Sequence, residues 1–253
     1  MKFEVTNSNK LSKKDQVSNL GMAAIPRSLK LSDTAAEMIR AEIVGGRLLP
    51  GSRVTISGIA KILGISNTPV REALIRLAEV GLAEFDESSI RIISETDETL
   101  HEAFELRAQL EAMTARLAAI KRSPAEAKAL LELAVASRKA AQDGDQPTFR
   151  KLDMKFHGSV AALTGNRFLE KYACNAYDLA TTLRNVRKLS QEFQADAAYM
   201  HVQLAEAILD QNAKLAETIG RKHVETVFEQ MTKFHNNQDT HRANAGMKES
   251  ENA

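Results

Sequence analysis

The sequence predicts a mainly α-helical chain of two parts: an N-terminal winged helix-turn-helix, then an antiparallel all-helical bundle of about six helices. Three observations predict it. Two short apolar stripes at helical spacing meet at Gly64-Ile65-Ser66, and two β-prone runs around a polar tip follow soon after. After Thr96 every segment carries helical periodicity and no strand candidate appears. Composition agrees: aromatics make up 5% of 253 residues, Trp is absent, and Ala and Leu abound.

Taken in order, residues 1–26 are polar, contain Lys10, Lys13 and Lys14, and read as a flexible tail. Residues 27–95 form the head. Thr34 and Glu37 make a capping box for a helix through Ile43, which Gly45-Gly46 end. Ile56, Ile59, Ala60 and Leu63 form the next stripe, capped by Thr55 or Ser57. Gly64 closes it, because glycine accepts the left-handed conformation. Ser66 or Thr68 caps the following helix, and Pro69 is tolerated only in a first turn. Val70, Ala73, Leu74 and Leu77 make one buried face. Thr68, Arg71 and Glu72 fall opposite. A short helix with a dry back and a hydroxyl and guanidinium near its N-terminus suits the DNA major groove. On periodicity alone the stretch also fits an ordinary amphipathic surface helix. Residues 82–85 and 90–93 make a small hairpin or wing.

Residues 96–236 read as the bundle. Ala103, Leu106, Leu110, Met113, Leu117 and Ile120 step by 3 and 4 and predict its packing seam. Ser123-Pro124-Ala125-Glu126 is a capping box with Pro at the first helical position, and that helix runs to about Gln142. Phe149, Leu152, Phe156, Val160 and Leu163 give a further stripe, closed by Gly165. Phe168, Tyr172, Ala176, Leu179, Leu183 and Val186 give another. Two more helices cover about 192–210 and 213–235, and 237–253 reads as a disordered tail.

Polar groups stand where core is expected. Asp153 and His157 share a helix face at i, i+4, on the edge of the Phe156 stripe. His201 falls among Ala197, Leu204, Ala205 and Ile208, and His223 between Ile219 and Val227. Singly, each histidine fits a satisfied core residue, and Asp153 and His157 fit a surface pair. Together, a carboxylate and three imidazoles in a bundle core cost several kcal/mol unless paired. A divalent metal resolves this, since neutral imidazole and carboxylate suit Zn, Ni or Mn.

Charge separates along the chain. Residues 27–76 hold eight Lys/Arg against four Asp/Glu, and residues 77–90 hold four acids and no base. The head is locally basic, as a phosphate-binding surface requires. The single cysteine, Cys174, cannot form an internal disulfide, so a reducing, cytoplasmic setting is expected. No run of 18 apolar residues exists, so no membrane span is expected, and the N-terminus lacks the apolar region of a signal peptide.

Pro50-Gly51, the run Ile59-Ala60-Lys61-Ile62-Leu63-Gly64-Ile65-Ser66-Asn67-Thr68-Pro69-Val70-Arg71-Glu72-Ala73-Leu74 and Gly81-Leu82 resemble the head of the GntR family of bacterial transcriptional regulators. Asn67 stands where that family usually has Arg, and Asp86-Glu87-Ser88-Ser89 where its wing usually carries Gly and a basic residue. Glu105-Leu106-Arg107 with Glu111, Asp153-Met154-Lys155-Phe156-His157, Gly165-Asn166, His201 and His223 resemble the FCD ligand-binding domain of the FadR-like subgroup. The resemblance implies DNA contacts from Ser66, Asn67, Thr68 and Arg71, with Arg53 beside them. It implies a divalent metal, Zn before Ni or Mn, on Asp153, His157, His201 and His223. It implies a small organic or sugar acid as effector, with Arg107 facing it. Arg187, one turn past Leu183, is a second candidate by its position, and it equally fits a solvated surface arginine. The function expected is a homodimeric regulator on palindromic double-stranded operator DNA, its affinity set by that acid. A metal-dependent enzyme and an acid sensor that does not bind DNA are the alternatives. The enzyme reading lacks a general base beside the metal motif.

Overall fold

The computed structural model describes the backbone of residues 29–86, 89–187 and 189–250, and side chains between residues 31 and 233. The expected N-terminal tail, the wing-tip pair Glu87 and Ser88, and residues 251–253 lie outside the described residues.

The head holds α1 (Leu29–Val44), α2 (Ile56–Leu63) and α3 (Asn67–Glu79). Its antiparallel sheet has β1 (Arg53–Val54), β2 (Ala83–Phe85) and β3 (Ile90–Ile92) in the order β1-β3-β2, with Arg53 opposite Arg91. The turn between α2 and α3 follows from its residues. Thr55 caps α2 by accepting from the Gly58 amide, and Gly64 ends it at φ 67°. Ser66 holds the N-cap position of α3, but its side chain makes no capping bond, and Thr68 lies within the helix. Val70, Ala73, Leu74 and Leu77 are buried against Ile39, Ile43, Leu82 and Ile92. Burying a side chain such as Leu74 contributes about 1.5–3 kcal/mol.

Two expectations for the head are corrected. Helix α1 already includes Leu29, so Thr34 lies inside it rather than at its start. The buried line Ala35, Ile39, Ile43 extends one turn upstream to a fully buried Ser32. The hairpin also gains a partner, since β1 pairs with β3.

The bundle contains α4 (Asp97–Lys121), α5 (Pro124–Gln142), α6 (Gln146–Ala162), α7 (Arg167–Arg184), α8 (Gln191–Leu209) and α9 (Ala213–Ser250). Capping boxes at Thr96 and Ser123 start α4 and α5, and Asn166 caps α7. Helix α9 continues to Ser250, so the segment expected to be a disordered tail is helical as far as that residue. No helix-breaking proline lies within it to stop the run.

The expected seam of α4 is turned in part. Ala103 is buried as expected and Leu110 and Leu117 are half-buried, but Leu106, Met113 and Ile120 are about half exposed, and the buried face runs through Leu100, Phe104, Ala108, Ala112, Ala115 and Ala119. Close packing explains the choice. A Cβ on Gly220 of α9 would lie 3.0 Å from the Glu111 carbonyl oxygen and 3.1 Å from the Ala115 Cβ, so only small residues let α4 and α9 meet. The α7 stripe holds in its middle, where Ala176 and Leu183 are buried, but Phe168, Tyr172 and Val186 are exposed, and Leu169, Ala173, Tyr177 and Ala180 are buried beside it.

The two parts are tied together through α1 and α7. Leu179 of α7 packs against both the head core and a bundle core. Arg40 of α1 donates to the buried Asp178. Asn185, just past α7, donates its amide to the carbonyls of Ile43 at 3.3 Å and Val44 at 3.0 Å, filling acceptors that a helix end leaves open.

Candidate DNA-reading face and metal centre

On the head, Ser66, Asn67, Thr68 and Arg71 are all exposed at the N-terminal end of α3, away from its buried face. The first amides of that helix and an unbonded Ser66 side chain point to an electropositive end, where phosphate is favoured. Arg53 is exposed beside the wing, 3.5 Å from the Asp86 carboxylate, which also lies 3.3 Å from Arg91. The acidic wing tip therefore acts first on its own arginines.

In the bundle, α6, α8 and α9 bring four of the singled-out residues together. Asp153, His157, His201 and His223 are all buried. The three imidazoles offer nitrogens within 4.8 Å of one another, a set that could hold a metal ion. His201 Nε2 and His223 Nε2 are 3.2 Å apart. Asp153 Oδ1 lies 3.8 Å from the Nε2 of both His157 and His201. Tyr177 donates its hydroxyl to Asp153 Oδ2 at 2.7 Å and so orients the carboxylate. His157 Nδ1 lies 3.2 Å from Glu111 Oε1, which fixes the ring with Nε2 turned to the centre.

Electrostatics suit ligation. Burial, helped by the neighbouring imidazole of His157, pushes His201 down to about 3. Burial and His201 hold His223 well below its usual value. Both rings are neutral donors at neutral pH. Burial alone would raise Asp153, but His157, His201 and Arg184 hold its carboxyl well below the usual range. Glu111 is held down in the same way, by Arg107 and His157 against burial.

The donor set fits a divalent ion. A tetrahedral zinc with Zn–N of about 2.0–2.1 Å sets its nitrogens roughly 3.3 Å apart. The Nε2 atoms of His201 and His223 meet that spacing.

Arg107 is 1% exposed at the same centre. Its Nε donates to Glu111 at 2.6 Å, its Nη2 lies 3.3 Å from His157 Nε2, and its Nη1 is buried without a hydrogen-bond partner among the described residues. Arg187 is instead committed elsewhere: it donates to Glu95 at 2.8 Å and to the Met231 carbonyl at 3.0 Å. Sequence reasoning missed Arg184, which lies 3.9 Å from Asp153. A usable signal existed, since Arg184 follows Leu183 in its stripe as Arg107 follows Leu106. Tyr177 had none, because 24 residues separate it from Asp153.

The comparisons with known proteins agree with this geometry. The gntR family of bacterial regulatory proteins matches residues 31–89, and the FCD domain matches residues 102–226. A probable D-xylose utilization operon transcriptional repressor from Paenarthrobacter nicotinovorans is 33% identical over 193 residues, 74% of this chain and 83% of that protein. The HTH-type transcriptional repressor GlaR of Escherichia coli K12 is 26% identical over 197 residues, 74% of this chain and 90% of its own. The solved structure of E. coli McbR/YncC shares the fold, with a TM-score of 0.73 at 18% identity, over 82% of this chain and 99% of that one.

Proposed function

Since the chain belongs to the gntR family of bacterial regulatory proteins and carries an FCD domain, a DNA-binding transcriptional regulator and not an enzyme, we propose that a small carboxylate bound at a metal ion in its bundle sets its affinity for operator DNA. The names of two relatives support a repressing role. No helix among the described residues is long and apolar enough to cross a membrane.

Asp153, His157, His201 and His223 would hold the ion, zinc before nickel or manganese. When bound, the ion supplies a Lewis-acid position for a carboxylate oxygen. The observation that carries this reading is the pair of buried imidazole nitrogens 3.2 Å apart. A cation at the centre would take the His157 lone pair that Arg107 Nη2 now approaches. Arg107 would then offer Nη2 together with its unpartnered Nη1, two parallel donors that match a carboxylate. Arg187, closed by Glu95, contributes to the wall rather than to the anion.

The head would read DNA through Ser66, Asn67, Thr68 and Arg71. Arg53 is available to phosphate only when it leaves Asp86. A palindromic operator calls for two heads, and the bundle offers a face for pairing. Leu106 and Met113 of α4 lie beside Phe168 and Tyr172 of α7, all four exposed, around one apolar groove. A second copy of this chain would cover that face, which is large and apolar where charged residues would keep a monomer soluble.

The effector reading is tested by calorimetry of zinc-loaded and chelator-stripped protein against acetate, lactate, succinate, citrate and gluconate. Binding of at least one acid to the loaded form, lost on stripping, supports it. Equal binding to both forms, or none to either, rejects it.

A further inference from the structure

The histidine centre has a wall that leads to the head. A cavity of about 400 Å³ lies among α6, α7, α8 and α9, and Asp153 and His223 are part of its lining. Arg150, Arg184, Asn185 and Arg187 line it as well. The three arginines differ. Arg187 is closed by Glu95 and by the Met231 carbonyl. Arg184 comes no closer to a carboxylate than the 3.9 Å to Asp153, among the described residues. Arg150 is exposed and donates to neutral acceptors, Asn185 Oδ1 at 3.2 Å and the Gly45 carbonyl at 3.4 Å. Two guanidiniums thus share one cavity whose nearest carboxylate, Asp153, lies 3.9 Å from Arg184 and already accepts from Tyr177. In the smaller cavity beside His157, about 220 Å³, the lining carboxylates and guanidinium are already paired, Glu111 with Arg107 and Asp178 with Arg40.

Arg150 also belongs to the joint with the head. It holds the Asn185 amide with its oxygen toward the guanidinium, and the amide nitrogen then donates to the Ile43 and Val44 carbonyls. The turn beyond α1 fits closely around this group: a Cβ on Gly46, whose φ is +75°, would lie 3.1 Å from the Asn185 Cγ. The carbonyl end of α1 is therefore held by two side chains of the bundle that also line the cavity.

We propose that this cavity takes an anionic group onto Arg184 and Arg150, and that Arg150 thereby leaves the carbonyl end of α1, linking cavity occupancy to the position of the head through one guanidinium. The proposal rests on the reading that a small carboxylate is the effector. A charged acceptor forms a hydrogen bond roughly twice as strong as a neutral carbonyl does, so an anion within reach outcompetes Gly45 and Asn185. The linkage is reciprocal: a DNA-bound head that needs the clamp closed weakens the anion.

The test uses full-length, zinc-loaded protein, with hydrogen exchange at residues 43–48 and calorimetry against citrate, succinate and gluconate. The amides of Gly45, Gly46, Arg47 and Leu48 are hydrogen-bonded, so their protection is measurable. Arg150→Gln should speed exchange at 43–48 by about tenfold without any acid, while α4 and α9 stay protected. In the wild type, an acid that binds should produce the same rise, and in Arg150→Gln it should add nothing. Arg184→Gln should weaken the acid at least about tenfold and leave the ligand-free exchange slow. Wild-type exchange at 43–48 in Arg150→Gln, or acid binding that leaves those amides unchanged in the wild type, overturns the proposal. If no acid binds the wild type, the effector reading fails, and the ligand-free comparison of Arg150→Gln still decides whether the clamp exists.

Discussion

His201 Nε2 lies 3.2 Å from His223 Nε2, across two helices and 22 residues of sequence. Only one of the two nitrogens can carry the proton between them, and burial keeps both rings neutral. Both Nδ1 atoms are buried without partners among the described residues. A cation between the two facing Nε2 atoms would take both lone pairs and place the ring protons on Nδ1. Purified protein is expected to hold about one divalent ion per chain, as a four-ligand site requires. His201→Ala and His223→Ala should lose the ion while the head stays folded. Elemental analysis after supply of zinc, nickel or manganese checks this, and an ion-free wild type rejects it.

The same burial predicts acid lability in the metal-free protein. His201 sits at about 3 when folded, below its unfolded value near 6.5. Below pH 6.5 the unfolded chain binds a proton that the folded chain refuses, so stability falls as pH drops from 6.5 toward 3. The slope is up to about 1.4 kcal/mol per pH unit for this group. His201 stacks on Phe156 with ring centroids 4.5 Å apart, so His201→Phe should pack and should flatten the slope. Urea midpoints of metal-free wild type and variant between pH 7.5 and 5 make the comparison. Equal slopes would remove His201 as the cause.

The wing offers an electrostatic prediction. Asp86 lies 3.5 Å from Arg53 and 3.3 Å from Arg91, and Arg53 and Arg91 are paired across β1 and β3. Asp86→Ala should free both for phosphate and tighten binding on every duplex. The salt dependence should steepen by up to about 0.9 log unit per new phosphate contact. Anisotropy titrations at several salt concentrations read both effects, and an unchanged slope would mean that neither arginine reaches DNA.

The exposed groove predicts the oligomeric state. Met113→Asp with Tyr172→Asp should convert the protein to a monomer in sedimentation and weaken operator binding, because one head alone contacts one half-site. Both residues are exposed in the isolated chain, so the folded monomer should survive. A variant that still sediments as a dimer would place the interface elsewhere.

Local chemistry was legible in the sequence and packing depth was not. The Gly64 turn, the Ser123 capping box and the Pro124 start are decided by neighbouring residues, and each forms as its residues dictate. The same held for Asp153 and His157, which one helix turn brings together. Helix α4 was misread because it is apolar on two sides. The larger Leu106 and Met113 suggested the core, yet Gly220 brings α9 so near that alanines fill the interface. The Thr34 cap failed for a related reason, since a buried Ser32 is invisible to a scan for large apolar residues. Arg184 and Tyr177 reach Asp153 only through tertiary packing. Arg187 is an effector candidate in the sequence because its partner Glu95, 92 residues away, is met only through the fold.

The most direct measurement is operator affinity of zinc-loaded protein with and without the acid that calorimetry selects, read by anisotropy on the chain's own upstream DNA. The acid is expected to change the operator dissociation constant by about fivefold or more, the usual scale of coupling between two sites. The change should vanish in His223→Ala. An operator affinity indifferent to every bound acid, or a response that persists without the metal ligands, would contradict a carboxylate-controlled regulator.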